Sequence, residues 1–184
     1  GGLPLKAVIL AGGKGTRLRP VTCELPKPMV PVLNIPLMEH LILLLKKHGI
    51  RDIGVTLMYL PQKIKSYFGD GSKWGVRLQY FIEDNPCGTA GSLLHAASFL
   101  NEPFIVLSGD CITDIDLTEA IAFHRHQRTL ATIVLTRCNN PMDFGIVMID
   151  DSGRIISFLE KPTLSEVFSN IVNTGIYVLE PDIL

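Results

Sequence analysis

The sequence predicts an α/β fold with a mixed, mainly parallel sheet, and three observations carry that expectation. Short β-rich runs alternate with segments of helical length. Most of those runs are too apolar to have one wet face, as strands covered on both sides should be. Glycines stand just past the helical segments, where a left-handed residue ends a helix.

In chain order, "LKAVIL", "DIGVTLMY", "VRLQYFI", "PFIVLSG" and "ATIVLTR" read as strands. Helices are expected over residues 37–48, ended by Gly49, 62–68, ended by Gly69, 91–100 and 117–126. The last opens on "DLTE", where Asp116 caps and Glu119 reaches back. From Gly145 the pattern changes to "GIVMID", a "DSG" turn, "RIISFLE" and "IVNTGIYVL", which read as further strands, some antiparallel. No repeat, low-complexity tract or linker interrupts the chain, so residues 1–184 are expected to form a single domain.

Composition sets the limits. At 184 residues and 47% hydrophobic, a chain of this size buries roughly 70% of its unfolded surface and needs no disulfide or metal to hold it. A net charge of -1, from 17 basic and 18 acidic residues, gives no broad footprint for nucleic acid or an anionic membrane. The cysteines at 23, 87, 111 and 138 form no CxxC pair, which argues against structural zinc and fits a reducing cytoplasm. No apolar run has the length of a membrane span. His124 and His126, about 200° apart on a helix, cannot share a metal and are expected to be solvated. The run Leu41 to Leu45 covers more than one helix face and reads as core, with a homo-oligomer interface as the alternative.

Any strong anion site must therefore be local, and the stretch "LAGGKGTRLRPVTCELPKP", directly after the first strand, is the place for one. Gly12, Gly13 and Gly15 let backbone N–H groups approach a phosphate chain. Lys14, Arg17, Arg19 and Lys27 against Glu24 leave a local charge of about +3, suited to a polyphosphate. Pro26 and Pro28 bracket Lys27, so its ammonium is expected on a stiff, extended segment. The spacing fits neither a Walker A loop nor the dinucleotide fingerprint.

"LAGGKGTRLRPVT" followed by "LPKPMVPV" closely resembles the signature of the sugar-1-phosphate nucleotidylyltransferases. "CGTAG", "LSGD", "DFG", "LEKP" and "VNTGIY" follow in that family's order, so the resemblance covers essentially the whole chain. It implies a Rossmann-like, three-layer nucleotide-diphospho-sugar transferase fold. It also implies a reaction in which a sugar 1-phosphate attacks the α-phosphorus of a nucleoside triphosphate, with Mg²⁺ assistance, to give a nucleotide-sugar and pyrophosphate.

By resemblance, Arg17 holds the leaving pyrophosphate, Lys27 the α-phosphate and sugar phosphate, and Asp110 the Mg²⁺. Leu10, Ala11, Gly12, Gly13, Gly15, Thr16, Glu83, Gly88 and Thr89 fall at the nucleotide, and Gly145, Glu160, Lys161, Asn173 and Gly175 at the sugar phosphate. Glutamate at position 83 points to GTP, because a carboxylate can accept from both N1–H and the exocyclic amine of guanine. "GTAG" is similar to the mannose-1-phosphate guanylyltransferases, which puts mannose 1-phosphate first among sugars. Relatives carry a second metal ligand beyond the position of Leu184, so the chain is expected to be truncated at its C-terminus.

Two rival readings stand beside this one. Asp114 and Asp116 form a DxD like that of metal-dependent glycosyltransferases, although that class gives no account of Arg17 and Lys27. A catalytically silent, regulatory relative that binds nucleotide-sugar would keep the same fold.

Overall fold

A computed structural model of the chain describes residues 5–12, 24–109, 115–137, 145–160, 162–167 and 169–184. The first elements are β1 (Lys6–Leu10), a short hairpin of β2 (Pro31–Val32) and β3 (Ile35–Pro36), and α1 (Leu37–Lys47). Then come β4 (Asp52–Leu57), α2 (Pro61–Phe68), β5 (Arg77–Ile82), α3 (Gly88–His95), β6 (Phe104–Ser108) and α4 (Leu117–Gln127). The last strands are β7 (Ala131–Arg137), β8 (Ile146–Ile149), β9 (Ile155–Leu159) and β10 (Ile171–Leu179). The strands stand close to the expected positions, and the hairpin is an addition. Its turn holds Leu33 and Asn34 at positive φ, the geometry a two-residue hairpin loop demands.

The chain divides into two compact units, Gly1–Thr132 with Tyr177–Leu184, and Ile133–Ile176. In the larger unit the strand order is β5-β4-β1-β6-β10. Strands β5, β4, β1 and β6 run parallel, with Leu10 level with both Thr56 and Ser108 and Leu57 level with Ile82. Parallel neighbours require crossovers, and the helices supply them. On one face Val8, Phe104 and Val106 meet Leu93, Ala96 and Leu100 of the α3 segment. Ala7, Val8 and Ile9 have no exposed surface, which is why β1 reads as a continuous apolar run rather than an alternating one.

Helix α1 buries Leu37, Met38, Leu41, Ile42 and Leu45 and leaves Leu43 exposed, so the apolar run is core along one stripe. Gly49, at φ +80, follows its end. Helix α4 has the forward half of the expected capping box, the Glu119 N–H donating to Asp116 Oδ1 at 3.2 Å. Helix α3 corrects the expectation of 91–100. It begins three residues earlier, at Gly88, and gives way after His95 to tighter turns in which Ala96 N–H and Ala97 N–H reach back to Leu93 and Leu94.

His124 corrects another expectation. It is buried, with Nδ1 2.7 Å from Thr132 Oγ1 and Nε2 3.0 Å from Glu180 Oε1. Two positions along a helix turn the side chain to the opposite side, so His126 is exposed while His124 faces inward. The ring satisfies both nitrogens, which is what makes its burial tolerable.

Tyr80 on β5 donates to the Gly69 carbonyl at 2.6 Å and so closes the end of α2. Burial, reinforced by the charge of Asp70, pushes its phenol from 10.0 up to about 12. Below its unfolded value the phenol is neutral in both states and folding is indifferent to pH through this group. Between roughly pH 10 and pH 12 the unfolded chain ionises first, and stability falls. Urea melts on either side of about pH 10 should show that loss in the wild type and a smaller loss in Tyr80→Phe.

In the smaller unit the order is β10-β8-β9, with β7 also on β10. Both the β10–β8 and β8–β9 pairs are antiparallel, as "some antiparallel" anticipates. The β8–β9 turn is built by Asp150, whose Oδ1 accepts from Ser152 N–H, Ser152 Oγ–H and Arg154 N–H. Those hydrogen bonds, that of the Ser152 side chain foremost, hold its carboxyl below the usual carboxylate range.

Candidate functional site

The carboxyl ends of β1, β4, β5 and β6 finish level with one another because the ladder runs one step past each strand. Ala11 N–H donates to Thr56 O at 3.0 Å, Glu83 N–H to Leu57 O at 2.7 Å and Gly109 N–H to Leu10 O at 2.8 Å. Open parallel sheets bind ligands beyond this edge. Leu10, Ala11 and Gly12 therefore lie at and just past the end of β1, on this edge of the sheet.

Glu83 enters from the neighbouring edge of the same sheet. Only 4% of it is exposed, so it is not a solvated charge at the end of the strand. Its Oε1 is buried without a hydrogen-bond partner among the described residues. A Cβ at position 12 would lie 3.2 Å from Glu83 Oε2, so glycine at position 12 leaves the carboxylate its space. A buried, unsatisfied carboxylate oxygen costs free energy unless some group donates to it.

Gly88 and Thr89 open α3, six residues past the end of β5. Gly88 has φ +68, and a Cβ there would meet nothing within 4 Å. Glycine is thus required by backbone conformation, while the space beside it is open.

Lys27 departs from the extended geometry expected. It begins a 3-10 turn, Lys27–Met29, in which Met29 N–H donates to Pro26 O at 2.8 Å and Val30 N–H to Lys27 O at 3.1 Å. Pro26 and Pro28 are buried, Lys27 is half-buried, and the turn packs against α1 and α2. Leu37 N–H, at the start of α1, donates to Val30 O at 3.0 Å. Stiffness comes from these anchors and from the two fixed proline φ angles, not from extension.

The smaller unit gathers the described residues of the sugar-phosphate set. Asn173 N–H donates to Gly145 O at 2.9 Å, and Asn173 Oδ1 accepts from Gly175 N–H at 2.8 Å. Gly175 sits inside β10 at φ +75, a conformation glycine adopts without steric cost. A Cβ on Gly145 would lie 2.7 Å from Phe158 Cζ and 3.3 Å from Glu160 Oε2. Gly145, Glu160, Asn173 and Gly175 are thereby neighbours, with the Glu160 side chain exposed.

Gly13, Lys14, Gly15, Thr16, Arg17, Arg19, Asp110, Asp114, Phe144 and Lys161 lie outside the described residues. Among the described residues no cluster of three metal-ligating side chains occurs, and no helix is long and apolar enough to cross a membrane. A cavity of about 290 Å³ lies between Thr89, Ala90 and Leu93 of α3 and Tyr177 and Leu179 of β10. Its apolar walls offer nothing to a phosphate, so the polar edge of the sheet is the better candidate site.

One position escaped the sequence reading as a separate participant. Gly109 abuts β1 so closely that a Cβ there would overlap the Leu10 carbonyl oxygen. The signal was available: a glycine between an apolar strand and an aspartate, in "LSGD", marks a close backbone approach.

Comparison with known proteins gives this geometry a context. The family described as nucleotidyl transferase matches residues 6–184. A UTP--glucose-1-phosphate uridylyltransferase of Synechocystis is 41% identical over 194 residues, which cover 98% of this chain and 50% of that protein. A mannose-1-phosphate guanylyltransferase of Mycobacterium tuberculosis is 37% identical over 179 residues, covering 97% of this chain and 49% of that one. The chain thus spans about half the length of the curated relatives it matches. Among solved structures, a putative glucose-1-phosphate thymidylyltransferase of Bacillus anthracis superposes with a TM-score of 0.90 at 31% identity, covering 97% of this chain and 72% of that one. HddC of Yersinia pseudotuberculosis, complexed with GMP-PN, superposes at 0.83 and 28% identity, covering 97% of this chain and 78% of that one.

Proposed function

The chain belongs to the nucleotidyl transferase family, and from that premise we propose that it transfers a nucleotidyl group from GTP to mannose 1-phosphate, releasing pyrophosphate. The observation that carries the base preference is the buried Glu83 side chain, whose Oε1 has no hydrogen-bond partner among the described residues. Guanine offers two adjacent donors, N1–H and the exocyclic amine, which would satisfy that carboxylate. A pyrimidine base lacks such a pair of adjacent donors.

The chemistry needs positioning and charge rather than a protein nucleophile. A phosphate oxygen of the sugar 1-phosphate attacks the α-phosphorus, and the bond from that phosphorus to the bridging oxygen breaks. Pyrophosphate leaves with that oxygen and its electron pair. Lys27, on its anchored turn, lowers the repulsion between the two anions, and Arg17 takes the charge that grows on the departing pyrophosphate. The Gly12 to Gly15 backbone and the Gly88 turn hold the nucleotide, while Gly145, Glu160, Lys161, Asn173 and Gly175 hold the sugar phosphate.

Asp110 directly follows Gly109, whose N–H is bonded to the end of β1 at the sheet edge. The Asp110 carboxylate suits Mg²⁺ by its chemistry, since that ion takes oxygen ligands and keeps company with phosphates. When bound, the ion would neutralise charge on the phosphate oxygens.

A second reading has its own support. The 41% identical relative is named for UTP and glucose 1-phosphate, which favours that substrate pair over GTP and mannose 1-phosphate. Pyrophosphate release measured with Mg²⁺ over a grid of triphosphates and sugar 1-phosphates separates the two. Preference for GTP, lowered on the order of 10- to 100-fold by Glu83→Gln, is the expected result, since a hydrogen bond to a charged acceptor carries about 1.5–3 kcal/mol. An unchanged preference in Glu83→Gln overturns the role of Glu83, and release with UTP alone favours the second reading.

A further inference from the structure

Cys87, Gly91 and His95 recur every four residues along α3, so they fall near one side of the helix. A Cβ on Gly91 would lie 2.5 Å from Cys87 Cβ. Any larger residue at position 91 would therefore push the Cys87 side chain out of its place. Lying over Gly91, Cys87 Sγ comes within 3.6 Å of His95 Nε2 and donates to the Asn85 carbonyl at 3.1 Å. Both side chains are exposed to solvent. A solvent-exposed thiol beside an imidazole has a proton acceptor within reach when it attacks a sulfur. Cys87 is a free, exposed cysteine, so it fills no core.

Cys87 stands directly before Gly88, where a Cβ would meet nothing within 4 Å. A group attached at Cys87 would compete for the room that a nucleotide needs there. We infer that the Cys87–His95 pair is a modification site for small disulfides of the glutathione type, and that the adduct closes the Gly88 turn to the triphosphate. The second half rests on the nucleotide-binding role proposed for Gly88 and Thr89.

The exchange balances without a further oxidant. The Cys87 S–H turns from the Asn85 carbonyl and passes its proton to His95 Nε2, Sγ attacks one sulfur of the disulfide, and a new S–S bond forms as the old one breaks. The leaving sulfur departs with the bonding pair and collects the proton from His95. One protein thiol and one disulfide become one mixed disulfide and one small thiol, and excess thiol reverses the step. The glutathionyl group adds bulk beside the turn proposed for the nucleotide, so the block is steric.

The test incubates the protein with glutathione disulfide, follows adduct formation by intact mass and peptide mapping, and then titrates GTP by calorimetry. Cys87 should be modified before Cys23, Cys111 and Cys138. His95→Asn should slow its modification on the order of tenfold, and Cys87→Ser should abolish that adduct while GTP binding persists. The adduct should weaken GTP binding at least tenfold, and dithiothreitol should restore it. Modification without preference for Cys87, or at an unchanged rate in His95→Asn, overturns the activated pair. An adduct at Cys87 that leaves GTP binding intact overturns the closure of the turn. If the unmodified protein binds no triphosphate at all, the nucleotide-binding reading fails and the closure falls with it, while the mass measurement still decides whether the thiol is activated.

Discussion

Lys27→Met lowers pyrophosphate release on the order of 100- to 1000-fold, the loss that follows removal of one group stabilising charge in a transition state. The substitution keeps an unbranched apolar stem of similar length and removes the ammonium with its charge and N–H donors. The backbone of the turn is held by buried Pro26 and Pro28 and by the Val30 carbonyl bonded to α1, so the fold should survive. Thermal melts beside the steady-state assay separate the two effects: the midpoint stays near that of the wild type while the rate falls. A rate close to that of the wild type would remove Lys27 from the chemistry.

Gly109→Ala acts on the other side of the ledger, against folding itself. Its Cβ would overlap the Leu10 carbonyl oxygen, and it would come within 3.2 Å of Leu10 C and 3.3 Å of Ala11 Cα. All three are main-chain atoms of the central strand and its exit, which cannot rotate aside as a side chain does. Either β1 moves from β6, breaking the Gly109 N–H to Leu10 O bond, or the clash stays. The expected cost is about 3 kcal/mol or more, at the upper end for overpacking, read as a drop in the urea midpoint at unchanged slope. Stability within about 0.5 kcal/mol of the wild type would show that the two strands have slack the structure denies them.

Much of the architecture was legible because its signals are local. The apolar runs of β1, β4 and β6 state their double-sided burial outright, and Gly49 and Gly69 mark where α1 and α2 end. The start of α3 was not legible, because "CGTAG" reads as a loop motif and gives no periodic signal at Gly88. His124 was misread for a related reason: one histidine on a short helix carries no sign of what lies opposite. Thr132 and Glu180, 8 and 56 residues away along the chain, give it its burial.

The sequence by itself determined the alternation of strands and helices, the stretch in which glycines and cations concentrate, and the family, because each depends on residues adjacent in the chain. Only the tertiary structure decided that Glu83 is buried against Gly12 with an oxygen unsatisfied among the described residues, that Lys27 sits on a 3-10 turn, that Gly109 presses on β1, and that Cys87 meets His95 across Gly91. Each of those facts is a distance between atoms that chain order leaves free. Burial and close approach are set by which surfaces the packed sheet and helices bring together.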